Sequence, residues 1–208
     1  MAHEKFSIEE ALAYGWKSFK THVGFFIGLF FALLVALTVL NVIISSLFHR
    51  GSIPGALLME LISLCLSMIL TRVALDIHDK DAAEFSEMEG LVRQAASYIL
   101  ARILYVLIVL IGTVFLVVPG VIAALMFFYT GYIVVDKGTG PLEALKQSHA
   151  ITDGAKWDLF LFSLALLVVN FIGAMVVIVG LLVSVPVSLM ASVYVYRRLS
   201  PAAAEEAV

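Results

Sequence analysis

Glu60 stands inside a long apolar run. An ionised carboxylate in hydrocarbon is costly unless it is paired or neutralised. Glu60 therefore either lines a polar cavity or sits just beneath a membrane surface, reaching water or Arg50 across a short loop. Asn41 and Asn170 are also polar residues in apolar surroundings. Each could face a substrate path, although hydrogen bonding between helices is the commoner use of such amides. Asp76, His78, Asp79 and Asp81 form the only cluster with metal-ligand chemistry. Ligands on neighbouring residues of a turn coordinate poorly without remote partners, so a solvated loop at a helix end is expected and no metal site is assigned. His3, His22, His49 and His149 stand apart from that cluster. No zinc motif, Walker loop, nucleotide fingerprint, nucleophile elbow or paired-carboxylate motif occurs. The expectation is a protein with no catalytic residue and no cofactor, and intramembrane hydrolysis ranks last because no nucleophile has an evident base.

The elements that must position these residues follow from composition. Of 208 residues, 62% are hydrophobic and 14% charged, far from the balance of a water-soluble domain. Charge is absent from residues 23–48, 103–135 and 159–196. The net charge of -3, with scattered basic residues, gives no support for a nucleic-acid partner. Cys65 is the single cysteine, so no intramolecular disulfide can form. The N-terminus begins with a charged amphipathic segment rather than a signal peptide, and the first apolar run is read as retained.

One crossing of a bilayer about 30 Å thick takes roughly 20 residues of helix. Residues 23–48 make one span, and a second runs from about 53 to 77. The two longer apolar runs must each fold back on themselves. Their bends are expected near Pro119 and Gly120, and near Gly180 and Pro186, where proline removes a backbone donor and glycine relaxes the chain. The expected fold is all-α and polytopic: six transmembrane helices as three hairpins. Nearly all Lys and Arg then fall on one side, which the positive-inside rule makes cytoplasmic, with both termini there. Localisation follows as the prokaryotic cytoplasmic (inner) membrane.

Each hairpin is preceded by a similar segment. Residues 6–12 align with residues 85–91, and Pro141 with Glu143 opens a third copy. Ser7 with Glu10, and Ser86 with Glu89, have capping-box spacing, while Pro141 suits a first helical turn. Ile8, Leu12, Trp16 and Phe19 form a stripe that should lie in the membrane interface. Met88, Leu91, Val92 and Ala95 repeat it, and Leu142, Leu145 and His149 give a weaker third version. Pro119 and Tyr129 match Pro186 and Tyr196 at equal spacing. One membrane domain, 1–208, is expected, with repeat-like units at about 6–77, 85–135 and 140–199 and a short polar tail at 200–208. Gly24 and Gly28 give the first span a small-residue face, read as packing within the chain, with dimerisation as the other use.

From residue 118 onward the pattern resembles a known family. Val118-Pro119-Gly120, then Val135-Asp136, Gly138, Pro141, Glu143, Ala144, Leu145, Ser148, Thr152, Gly154 and Trp157, look like a bacterial and archaeal family of six-helix membrane proteins. That family is related to the membrane domain of glycerophosphoryl diester phosphodiesterases. Asn170, Gly173, Gly180, Val185-Pro186 and Tyr196-Arg197-Arg198 continue the resemblance, which covers about residues 84–199. In those diesterases hydrolysis belongs to a separate soluble barrel, so the resemblance carries no catalytic residue over. It implies a link to lipid or glycerophosphodiester handling by analogy of fold. The bilayer-facing architecture leads to a non-enzymatic membrane protein whose cytoplasmic interfacial helices contact lipid headgroups or a partner protein, as an accessory in envelope or lipid homeostasis. Membrane lipids, a membrane-protein partner or a second copy of the chain are the expected partners. A small transporter or channel built around Glu60 is the alternative.

Overall fold

The computed structural model describes residues 5–48, 52–81 and 88–200, with side chains at all of these except 88, 89 and 177–179. Arg50, Ser86 and the Glu89 side chain lie outside it, so the second capping pair does too. Among the described residues the chain forms α1 (Ile8–Thr21), α2 (Val23–Leu47), α3 (Ile53–Lys80), α4 (Met88–Phe115), α5 (Val117–Met126), α6 (Thr130–Lys137), α7 (Pro141–Thr152), α8 (Lys156–Met175) and α9 (Val177–Leu199). Six stretches are long and apolar enough to cross a membrane: α2, α3, most of α4, α5 with α6, α8 and most of α9. Their outer faces are uncovered. Val114 and Phe115 are 78% and 80% exposed, and in α2 only Phe26 and Ile44 are buried.

The helix breaks do not fall at the prolines. α4 ends at Phe115 and Leu116 is extended, so Pro119 already belongs to the first turn of α5, where its missing N–H is tolerated. Val176 separates α8 from α9, and Pro186 lies well inside α9. What the turns demand is close approach. A Cβ on Gly120 would come within 2.1 Å of Thr113 Oγ1, and one on Gly180 within 2.1 Å of the Gly173 carbonyl oxygen. The fourth span is instead interrupted at Phe127–Tyr129, between α5 and α6. Ser148 Oγ and Thr152 Oγ1 of α7 donate to the freed Met126 carbonyl at 2.9 and 3.1 Å, which satisfies the backbone where the helix opens.

The segments expected to lie in the interface are packed differently from the stripe reading. α1 buries Ala11, Gly15, Ser18 and Phe19 against α9, whereas Trp16 is half exposed. Gly15 is required there, because a Cβ would sit 2.4 Å from the Val187 carbonyl oxygen. α7 likewise buries Ala144, Leu145, Ser148 and Thr152 and leaves Leu142 outside. The second copy is no separate helix: α4 runs unbroken from Met88 into its span. Gly24 and Gly28 have nothing within 4 Å of where a Cβ would be, so the small-residue face of α2 packs against nothing among the described residues.

The centre of the molecule is built on α9. Tyr129 of the α5–α6 break and Tyr196 of α9 are both fully buried, with ring centroids 5.7 Å apart. Phe162, Leu75, Ile133, Leu159 and Met190 are buried in the same core.

Candidate functional site

Three groups of polar residues stand out. The first joins the C-terminal ends of α3, α6 and α9. Arg197 Nη1 and Nη2 donate to the two carboxylate oxygens of Asp136 at 2.8 and 2.7 Å, a bidentate geometry that a lysine could not reproduce. Its Nε donates to Asp79 Oδ1 at 3.1 Å and its Nη2 also reaches Asp79 Oδ2. Tyr196 donates to Asp136 Oδ2 at 2.7 Å, and His78 Nδ1 lies 3.1 Å from Asp79 Oδ1. The Arg197 and Asp136 side chains are only 17% and 14% exposed. One turn back on α3, Arg72 pairs with Asp76, which is itself buried.

This layer replaces the expected solvated loop. α3 continues to Lys80, and that extra turn carries Asp79 into contact with α9 while Asp76 points inward. The Asp79 side chain keeps 38% exposure, and Asp81, in a left-handed conformation at the helix end, is exposed as a loop residue would be. Among the described residues no three His, Cys, Asp or Glu side chains converge as metal ligands would.

α1 joins the same layer from outside. Ser7 Oγ accepts from the Glu10 N–H at 3.4 Å, but the Glu10 carboxylate does not complete a capping box. It accepts instead from Tyr194 OH at 3.1 Å, and Arg198 donates to the same hydroxyl. Tyr14 stacks on Tyr194 at 5.2 Å and lies 5.1 Å from the His78 ring. Burial, followed by weaker repulsion from Asp81 and Asp79, pushes the Tyr14 hydroxyl above its ordinary pKa. On α7, Pro141 occupies the first turn behind Gly140, and Glu143 accepts from Gln147 at 3.2 Å.

The second group lies at the other end of α3. Glu60 and Asn41 line a cavity of about 470 Å³ between α2 and α3, together with Ser45, Ser52 and Ser63. Glu60 is exposed there, about 28 Å along α3 from Asp79. Asn170 is not part of this cavity. Its Nδ2 donates to Ser188 Oγ of α9 and to the Leu166 carbonyl, both at 2.8 Å, and so ties α8 to α9.

The third group surrounds Arg102 on α4. Arg102 adjoins the charge-free stretch 103–135, where a long basic side chain would reach the headgroups, but the helix begins at Met88 and continues 13 residues past it to Phe115. Arg102 lines a cavity of about 270 Å³ with Ser67, Thr71, Tyr98 and Tyr132. Its Nε is buried without a hydrogen-bond partner among the described residues. The signal available in the sequence was its distance, a little over one turn, from the nearest polar run.

These features define an all-helical protein with six bilayer-length helices and one strongly cross-linked polar end. The chain is 29% identical over 116 residues to proteins named "Uncharacterized protein Rv2560" in Mycobacterium tuberculosis and "Uncharacterized protein Mb2590" in Mycobacterium bovis. The match covers 56% of this chain and 36% of each relative, so the chain aligns with about a third of their length. No protein-family model and no solved structure matches it.

Proposed function

We propose that this chain is a non-enzymatic multi-pass protein of the prokaryotic cytoplasmic membrane that binds lipid or a protein partner, as an accessory in envelope or lipid homeostasis. The observation that carries this reading is the uncovered apolar surface of the six long helices, most complete on α2. Only acyl chains or another apolar protein surface can cover it without a large hydration cost. Three hairpins with the termini on the cytoplasmic side fit the close approaches at Gly112 with Gly120 and at Gly173 with Gly180, and the joined ends of α3, α6 and α9. Trp16, Leu142 and Trp157 are exposed on helices that border that joined end, where interfacial residues belong. Kinship with the membrane domain of the diesterases is part of the same proposal. Its support is that Ser148 and Thr152, both in the resembling pattern, close the break at Met126.

Native mass spectrometry of gently extracted protein is the test. Retained lipid or a co-purifying protein is expected, and the absence of both across several lipid mixtures overturns the reading. The Glu60 cavity favours a second reading, a small transporter or channel. Flux in proteoliposomes that is abolished by Glu60→Gln supports it, and unchanged flux removes the carboxylate from any such path.

A further inference from the structure

We infer that the crevice between α4 and the α5–α6 break is a binding site for one phospholipid with a net-anionic headgroup, its phosphate held by Arg102. This deepens the lipid-binding reading above and rests on it. The polar half of the crevice is the cavity lined by Arg102, Ser67, Thr71 and Tyr98. The Ser67 and Tyr98 hydroxyls are 2.9 Å apart, and the Arg102 guanidinium lies 5.4 Å from the centre of the Tyr105 ring. Among the described residues no carboxylate pairs with Arg102, in contrast to Arg72 and Arg197. Thr71 Oγ1 donates to the Ser67 carbonyl and Ser67 Oγ to the Leu64 carbonyl, both at 2.8 Å, so the guanidinium is the group that receives phosphate oxygens.

The other half is apolar. Tyr105 and Phe128 lead from the polar cavity into a groove of about 350 Å³ between α4, α5 and α8, floored by Ala124, Leu164 and Leu167. Tyr98, Arg102 and Tyr105 follow one another at helical spacing on a single face of α4, so the two halves form one path. Arg102 lies about 20 Å along the helix from Phe115, deep enough for an acyl chain to run beside it. A free anion would satisfy the cation and leave the groove empty. An amphiphile fills both.

The test is native mass spectrometry of the full chain in mild detergent, titrated with phosphatidylglycerol, phosphatidylcholine and inorganic phosphate. The wild type should hold phosphatidylglycerol about tenfold more tightly than phosphatidylcholine, and millimolar inorganic phosphate should not displace it. Arg102→Gln should abolish the preference. Ala124→Phe, which fills the groove and keeps the arginine, should weaken phosphatidylglycerol by a similar factor. Equal binding of the two lipids by the wild type, the wild-type preference retained by Arg102→Gln, or the wild-type affinity for phosphatidylglycerol retained by Ala124→Phe, overturns the proposal. Displacement by inorganic phosphate shows a free-anion site and overturns it as well. The wild-type titrations and Ala124→Phe decide the matter even where Arg102→Gln fails to fold. Lipid retained without this preference refutes the site but not the broader reading, whereas a protein free of both lipid and partner refutes the broader reading.

Discussion

At one end of α3, Asp79 is gripped by an arginine from α9 that also holds Asp136 of α6; about 28 Å away on the same helix, Glu60 opens onto a cavity beside Asn41 and three serines. Both ends carry carboxylates in apolar surroundings. At the first, charges distant in sequence meet where helices pack tightly, and their desolvation is offset by paired hydrogen bonds. At the second, the helices stand apart and the charge remains exposed. The contrast separates charge that maintains the fold from charge that is free to serve something else.

The largest effect that could break this comparison is expected at Asp136. Asp136→Ala leaves Arg197 without its bidentate partner and Tyr196 without an acceptor. Removing one member of a largely buried pair costs about 3–5 kcal/mol. A large fall in the thermal midpoint of the purified protein is expected, and Arg197→Met should recover part of the loss in the double variant. A midpoint within a degree or two of wild type would show that the layer does not hold the fold.

A smaller loss is expected from Gly15→Val. The new Cβ meets the Val187 backbone at 2.4 Å, which neither helix can relieve without moving. Overpacking of this kind costs about 1–3 kcal/mol. Limited proteolysis should cut α1 faster in the variant, because α1 is anchored to α9 by this face and by Glu10 with Tyr194. Unchanged cleavage would mean that α1 contributes little to the packed end.

Much of the fold was legible because the bilayer sets composition: three charge-free stretches, the run from about 53 to 77 interrupted by Glu60, and a span length account for the six apolar helices. The packed end was not legible. Asp136 and Arg197 are 61 residues apart and Asp79 and Arg197 are 118 apart, and no local spacing rule links such pairs. The faces of α1 and α7 were misread for a related reason. Ala11, Gly15 and Ser18 carry almost no hydrophobic signal, yet small residues are what allow one helix to approach another closely. The prolines misled because their geometry is acceptable in a first turn or inside a supported helix, so the breaks fell at Leu116, Phe127–Tyr129 and Val176 instead. Glu60 was visible as an anomaly from the start; Arg102 was not, since an arginine near an apparent helix end normally reaches the headgroups.

Asn170 tests the middle ground. Its bond to Ser188 crosses between α8 and α9 within the apolar region. Interhelical hydrogen bonds of this type average about 0.6 kcal/mol in membranes. Asn170→Leu should therefore lower the thermal midpoint only slightly. A loss as large as that at Asp136 would place Asn170 with the polar end rather than between the two.

The smallest effect is expected at Glu60, and it sharpens the comparison most. Glu60→Gln keeps the shape and most hydrogen-bonding capacity of the side chain while removing its charge. Because Glu60 is exposed at an open cavity, the substitution should change stability by less than about 0.5 kcal/mol. The same carboxylate-to-amide change at Asp136 should be costly, because there the charge answers two guanidinium nitrogens and a tyrosine hydroxyl. Measuring both variants by thermal unfolding in one detergent holds the solvent fixed and isolates the difference between the two ends. Comparable losses would mean that Glu60 is a structural charge, and its place in any transport path would then lose its physical basis.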